Sequence, residues 1–337
     1  MTDDDAVEPD EVLTGLIHRA DLDGLVRLVD DCCATRDWAR LRRLRDAARH
    51  AVGTGRQLWP AATLAEYRLA LLAPAAWAAG VLDEGSGRFS IGPLTEVIAQ
   101  HHTWSELAAL LEPGPRAAFV AQERVLRGEA IDPVAAAALP DVLELPYALG
   151  AWEPAYALAT YGEDGGEFPA PDLPARLADL TLPAGVPAVL DDDAVELAVR
   201  QLVEPWTTSS NGRADVVAVE GDAASALRAL GVPRARWAPL GPAEAVAWLA
   251  WAGASGGAHG RRRGAAAGRF GALWLVAAMV DAVDDWPLPV DDLGALAGGL
   301  RWWWWDAHEP ATGWQLQLVA EDPDEHLAWA ISARDAA

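Results

Sequence analysis

The chain has 337 residues with 26 basic and 50 acidic side chains, a net charge of -24, and every basic residue is an arginine. A chain of this length is enough for about two domains, each with its own core. The missing lysine excludes Schiff-base chemistry, a phosphate-loop lysine and a kinase strand lysine, and the acidic balance argues against non-specific binding to nucleic acid or to an anionic membrane.

Residues 1–10 carry Asp3, Asp4, Asp5, Glu8 and Asp10, where a secretion signal would need positive charge followed by an apolar core, so an acidic disordered tail is expected. Residues 11–130 read as short amphipathic helices. Leu22, Leu25, Val26, Leu28 and Val29 recur at helical spacing, and Trp38, Leu41, Leu44, Ala48 and Ala51 follow after a short turn, which predicts a helical hairpin. Further helices are expected over 61–72, 74–82, 93–101, 104–111 and 115–127. Thr103 and Glu106 have the spacing of a capping box, in which hydroxyl and carboxylate each satisfy a backbone donor. Stacked helix pairs of this kind predict a HEAT-like or irregular α-solenoid domain. An uncharged run from Leu69 to Leu82 is shorter than the roughly 18 residues a bilayer span needs and is broken by Pro74.

Arginines crowd the second helix of the hairpin. Arg36, Arg40 and Arg43 offer a basic face for an acidic partner, and Trp152 is a candidate anchor further along. The competing reading is that the arginine stems cover the apolar stripe while their heads pair with the acidic surplus. The arginine excess also fits GC-rich coding, which weakens any inference from its number alone. No histidine has metal-ligand spacing, and no metal or cofactor is expected.

Residues 131–161 read as an irregular extended segment packed on a domain. Residues 162–191, with Pro169, Pro171, Pro174, Pro183 and Pro187, read as a linker. Residues 192–335 read as an α+β domain, with a helix near 192–203 and a strand over 215–219. Asp222 then caps a helix, and a strand over 236–240 completes a pattern like a small βαβ unit. The last 40 residues predict a three-stranded antiparallel meander, 300–305, 314–320 and 327–333. In its first strand Trp302 and Trp304 face one side while Trp303 and Trp305 face the other. Either all four are covered, or one pair forms an exposed stacking platform. The fold class is therefore mainly α with a smaller β component.

The segment 254–270 reverses the local charge, because no acidic residue lies between Glu244 and Asp281. Gly256, Gly257, Gly260 and Gly264 would let backbone amides approach a ligand, Arg261, Arg262, Arg263 and Arg269 supply positive charge, and an alanine-rich helix starts just after. Together they predict a site for phosphate, carboxylate or nucleotide. The alternative is a helix-helix turn whose arginines pair with aspartates of the chain itself.

Gly87-Arg88-Phe89 with Gly92-Pro93-Leu94, His102-Thr103-Trp104, Trp152-Glu153-Pro154, and Gly256-Gly257 running into Gly260-Arg261-Arg262-Arg263-Gly264 resemble an uncharacterised family of high-GC bacterial proteins. The resemblance covers most of the chain and implies no activity and no functional residues. It agrees with a bacterial cytoplasmic location, as does the adjacent pair Cys32-Cys33, which lacks the spacing of a disulfide framework. No catalytic set assembles from the sequence. The expected function is that of a non-catalytic interaction or scaffold protein with a protein partner. The alternative is a phosphate- or nucleotide-binding protein, enzymatic or not, that uses the loop at 254–270.

Overall fold

The computed structural model describes residues 10–185, 187–310 and 312–336. The expected acidic tail lies outside the described residues except for Asp10. The chain forms two compact units: residues up to Glu112 together with Tyr161–Gly166, and Pro113–Thr160 together with the chain from Glu167 onward.

The first unit is helical: α1 (Glu11–Arg19), α2 (Leu22–Thr35), α3 (Trp38–Gly53), α4 (Trp59–Leu72), α5 (Ala75–Ala79), α6 (Leu94–His101) and α7 (Trp104–Leu107). The first three helices begin the same way. Asp10, Asp21 and Asp37 each accept a hydrogen bond from the backbone N–H three residues on, at 3.0, 2.9 and 2.9 Å, which satisfies a donor the helix itself leaves open. Ala20 and Arg36 end α1 and α2 in the left-handed conformation, the usual way to turn a helix end without glycine being obligatory. The capping box at Thr103 and Glu106 forms as the sequence predicts. The helix behind it is only four residues long, shorter than the expected 104–111. With α3 at 16 residues and α7 at four, the helices are unequal, so of the two forms the sequence predicts it is the irregular one that forms and not the HEAT-like one. Helix α4 is the unit's central element, packed on α2, α3 and α6 and buried along both its apolar and its charged positions, Glu66 and Arg68 included.

Helices α8 (Pro115–Leu126) and α9 (Pro133–Ala137) belong to the second unit, whereas β1 (Thr160–Gly162) and β2 (Gly165–Glu167), which pair with each other, lie mainly in the first. Then come β3 (Ala178–Leu180), β4 (Val189–Leu190), α10 (Asp193–Leu202), α11 (Glu204–Thr208), β5 (Arg213–Glu220), α12 (Ala223–Ala229), β6 (Ala235–Leu240), α13 (Pro242–Ala254), α14 (Ala265–Met279), α15 (Val290–Ala297), β7 (Arg301–Asp306), β8 (Trp314–Asp322) and β9 (Leu327–Asp335). The strands make one seven-stranded sheet in the order β3-β6-β7-β8-β9-β5-β4, antiparallel at every pairing.

Three expectations are corrected here. The segment 162–191 is not a bare linker, because β3 and β4 within it form the two edges of the sheet. Strands β5 and β6 run in the same direction, as a βαβ pattern requires, but three antiparallel strands lie between them, so they are not neighbours. The helix at 115–127, grouped by sequence with the N-terminal helices, belongs to the second unit.

The β7-β8-β9 meander forms in register, with Trp302 opposite Ala320, Trp304 opposite Leu318, and Leu318 opposite Ile331. Alternation along β7 then sends its tryptophans into two cores. Trp302 and Trp304 join the larger core with α10, α13 and α14, while Trp305 joins a smaller one with Val219, Val319 and the apolar face of α12. Trp303, half-buried, stacks on Trp237 with ring centres 5.1 Å apart. Both faces are covered, so the exposed-platform reading of these tryptophans is not what the fold uses.

Candidate functional site

The glycine and arginine residues of 254–270 do what their chemistry predicts, but toward carboxylates of the protein itself. Arg269, on α14, is fully buried and spends all five of its N–H donors inside the unit. Its Nε and Nη2 grip Glu153 bidentately at 2.8 and 2.8 Å, Nη2 also reaches the Ala148 carbonyl at 2.8 Å, and Nη1 reaches Gln122 Oε1 and the Pro146 carbonyl at 3.0 and 3.1 Å. Glu153 completes its shell with the Gly150 amide at 2.8 Å and the Tyr156 hydroxyl at 2.5 Å. Burial and the adjacent Glu153 charge hold the Tyr156 pKa well above the ordinary tyrosine value, so this hydroxyl stays a donor.

The other elements of the predicted anion site are occupied in the same way. At the start of α14, the Ala266 amide donates to the buried Glu123 carboxylate at 2.8 Å, and Glu123 also pairs with Arg127 at 2.9 Å. The Ala258 amide donates to Asp335 Oδ2 at 2.6 Å, and Ser210 holds Asp335 Oδ1 at 2.8 Å. Gly257 adopts φ 68, and a Cβ there would lie 2.1 Å from that carboxylate. Gly256 and Gly260 pack backbone against backbone, at distances no side chain would permit. Gly264 precedes α14 as its N-cap at φ 97. Arg263 donates to the Gly253, Gln201 and Leu202 carbonyls at 2.9, 3.1 and 2.7 Å, closing the ends of α10 and α13; burial pulls its pKa below the ordinary arginine value. Of the four arginines, Arg269 alone is fully buried; Arg261 is exposed, and Arg262 and Arg263 are half-buried, Arg262 with its guanidinium 5.1 Å from the Phe168 ring centre. The expectation of an eight-residue anion site is therefore corrected: Arg263, Arg269 and the glycines serve internal partners.

The predicted partner-binding arginines lie on the first unit and Trp152 on the second. Arg40 is committed to Asp10 through two hydrogen bonds, 2.6 and 3.1 Å, whereas Arg36 and Arg43 are exposed. Their neighbour Arg45, which the sequence did not separate from the rest, is buried against Asp83 and Asp46 at 2.6 Å each and Glu66 at 3.6 Å. Arg49 joins it on Asp83 at 2.6 Å. Burial raises the Glu66 pKa despite the Gly87 amide and the two arginines beside it. Much of the basic helix is thus neutralised within its own unit.

A further concave surface in the second unit was missed by the sequence reading. A cleft of about 1040 Å³ opens between residues 131–151 and 287–291. Ile131, Leu139, Leu145, Leu149, Leu288 and Val290 line it, and Asp141, Glu144 and Asp291 carry the charge on its walls. Its first wall is the irregular segment after α8, which has little regular secondary structure to hold it. Buried polar groups hold it instead: Gln122 takes the Leu145 carbonyl at 2.9 Å and Arg269 takes those of Pro146 and Ala148. Trp152 ties the two walls together, its indole N–H donating to the Val290 carbonyl at 2.7 Å. The sequence signals for its first wall, Pro146 and Tyr147 among them, read as irregular chain, and nothing in the sequence joined that segment to residues 287–291.

No helix among the described residues is long and apolar enough to cross a membrane. No curated protein and no solved structure matches the chain. Residues 23–337, which include both the cleft and the arginine network behind it, match the model of a family of unknown function, DUF6183, and the chain belongs to that family.

Proposed function

We propose that the protein is a non-catalytic interaction module of the bacterial cytoplasm whose second unit receives a partner segment in the cleft at 131–151 and 287–291. The observation that carries this reading is the cleft itself: about 1040 Å³, lined mainly by aliphatic side chains and charged by three carboxylates. A volume of that order suits a few side chains of a peptide. The acidic residues Asp141, Glu144 and Asp291 favour a segment with apolar anchors flanked by basic residues, since complementary charge steers encounter and rejects like-charged competitors. A wall pinned by Arg269, Gln122 and Trp152 lowers the ordering cost of binding, because little of it has to be immobilised when the partner arrives. The cytoplasmic assignment is supported by Cys32 and Cys33, both of which are unpaired thiols.

The test is fluorescence polarisation with a short aliphatic peptide flanked by arginines and with the same peptide flanked by glutamates. Binding of the first, weakened by salt and by the combined Asp141→Asn, Glu144→Gln and Asp291→Asn changes, supports the reading. Blocking by Ala137→Trp, which fills the cleft, locates the site. Failure of both peptides to bind, or binding indifferent to Ala137→Trp, overturns it.

A further inference from the structure

A second polar cavity, at one end of the sheet, is built around an unfavourable juxtaposition of charge. Arg213 at the start of β5 lies directly opposite Arg334 on β9, and Arg334 lies opposite Gln315 on β8. Directly opposed residues on antiparallel strands project from the same face with Cβ atoms about 5 Å apart, where like charges repel. The next row on this face, Asp215, Ser332 and Gln317, is also polar. The apolar rows begin only with Val217 and Val219, among the residues that pack with α12. The β7–β8 hairpin walls the polar end, and the result is a pocket of about 340 Å³ lined by Asn211, Arg213, Glu309, Thr312, Gln315 and Arg334.

The charges in this pocket do not cancel. Glu309 accepts from Arg334 Nη1 at 2.5 Å. Among the described residues Arg213 forms no ion pair, and the buried Nε of Arg334 has no hydrogen-bond partner. Among the lining residues two guanidinium groups face one carboxylate, a local excess of positive charge that Asp215 in the next row offsets in part, in a chain whose overall charge is -24. Gln315 is oriented by its own bond to the Thr312 carbonyl at 3.2 Å, and Asn211 and the Thr312 hydroxyl add neutral donors. A carboxylate is fully served by one arginine fork. Two forks with amide and hydroxyl donors better match the three free oxygens of a phosphate group.

We infer that this pocket binds a small phosphate-bearing molecule, inorganic phosphate or a phosphomonoester of a few carbons, with Arg213 and Arg334 as its main ligands. The volume, about 340 Å³, is at the low end for small-molecule sites and favours a small ligand. This site is separate from the apolar cleft and does not depend on it. Bound anion would relieve the arginine repulsion, so Arg213 serves the site at some cost to the empty protein.

The experiment is isothermal titration of the full chain with inorganic phosphate, glycerol 3-phosphate and acetate at fixed ionic strength, paired with thermal unfolding of the ligand-free variants. Phosphate or its ester is expected to bind at least tenfold more tightly than acetate. Arg213→Gln should weaken phosphate binding at least tenfold while leaving the ligand-free protein as stable as wild type or more so. Glu309→Gln, which removes the competing carboxylate, should tighten phosphate several-fold. The inference is overturned by equal binding of acetate and phosphate, by unchanged phosphate affinity in Arg213→Gln, or by a drop in ligand-free stability in that variant, which would make Arg213 a structural residue.

Discussion

Replacing Arg269 by methionine removes the centre of the polar network behind the cleft while keeping a side chain of similar length. Five hydrogen bonds disappear, and the Glu153 carboxylate, whose side chain has no solvent exposure, is left with the Gly150 amide and the Tyr156 hydroxyl. Breaking a buried pair from one side costs about 3–5 kcal/mol, because the stranded charge has lost its compensation. For a unit of roughly 200 residues each kcal/mol corresponds to about 2–4 °C, so the transition of the second unit should fall by roughly 6–20 °C. Urea unfolding followed by tryptophan fluorescence gives the free energy, and calorimetry gives the midpoint. The double variant Arg269→Met with Glu153→Leu removes both charges, and should cost at least about 2 kcal/mol less than the two single changes added together. Hydrogen exchange at the Gly150 amide should quicken in the single variant. A loss below about 1 kcal/mol for Arg269→Met, or additive single and double variants, would refute the account of this network as a coupled buried pair.

Three further outcomes follow from other parts of the structure. Gly257→Ala forces a Cβ toward the Asp335 carboxylate from a positive φ and should cost about 1–3 kcal/mol in urea unfolding; unchanged stability would mean that the loop does not need its glycine. The Arg40 hydrogen bond holds the Asp10 carboxyl below its ordinary value of 3.8. The folded state therefore binds that proton less readily than the unfolded chain, and the stability gained is fully present above the unfolded value and lost as pH falls through the lower folded one. Asp10→Asn keeps the cap on Leu13 but not the charge, so its midpoint should lie below wild type at neutral pH, with the gap closing as pH falls below 3.8 and through the lower folded-state value; a constant gap would refute this. Burial pushes the Cys32 and Cys33 thiols up to about 11, so iodoacetamide at mildly alkaline pH should label the native protein on the order of 100-fold more slowly than the urea-unfolded chain. Labelling at the unfolded rate would contradict the buried setting of Cys32 and the half-buried one of Cys33.

Much of the architecture is legible because it is decided within a few residues. The aspartates at 10, 21 and 37, the Thr103–Glu106 pair and the apolar spacing of α2 and α3 act over one helical turn. The alternation of Trp302 to Trp305 likewise puts tryptophans on both faces of β7 before any partner strand is known. Segment 162–191 misleads for the same reason: its prolines and glycines describe the local chain truthfully, but the edges of β5 and β6 recruit two short pieces of it as strands. The candidate sites depend on still longer distances. Arg269 meets Glu153 across 116 positions of sequence, and Arg213 and Arg334 become neighbours only when β5 pairs with β9. The sequence by itself determined most of the helices, the caps at Thr103 and Asp222, the meander, and the clustering of arginine and glycine in one loop. Tertiary structure alone decided which anions that chemistry receives, because a guanidinium or an amide binds whichever carboxylate the packing of the core brings within 3 Å, and periodicity carries no information about that encounter.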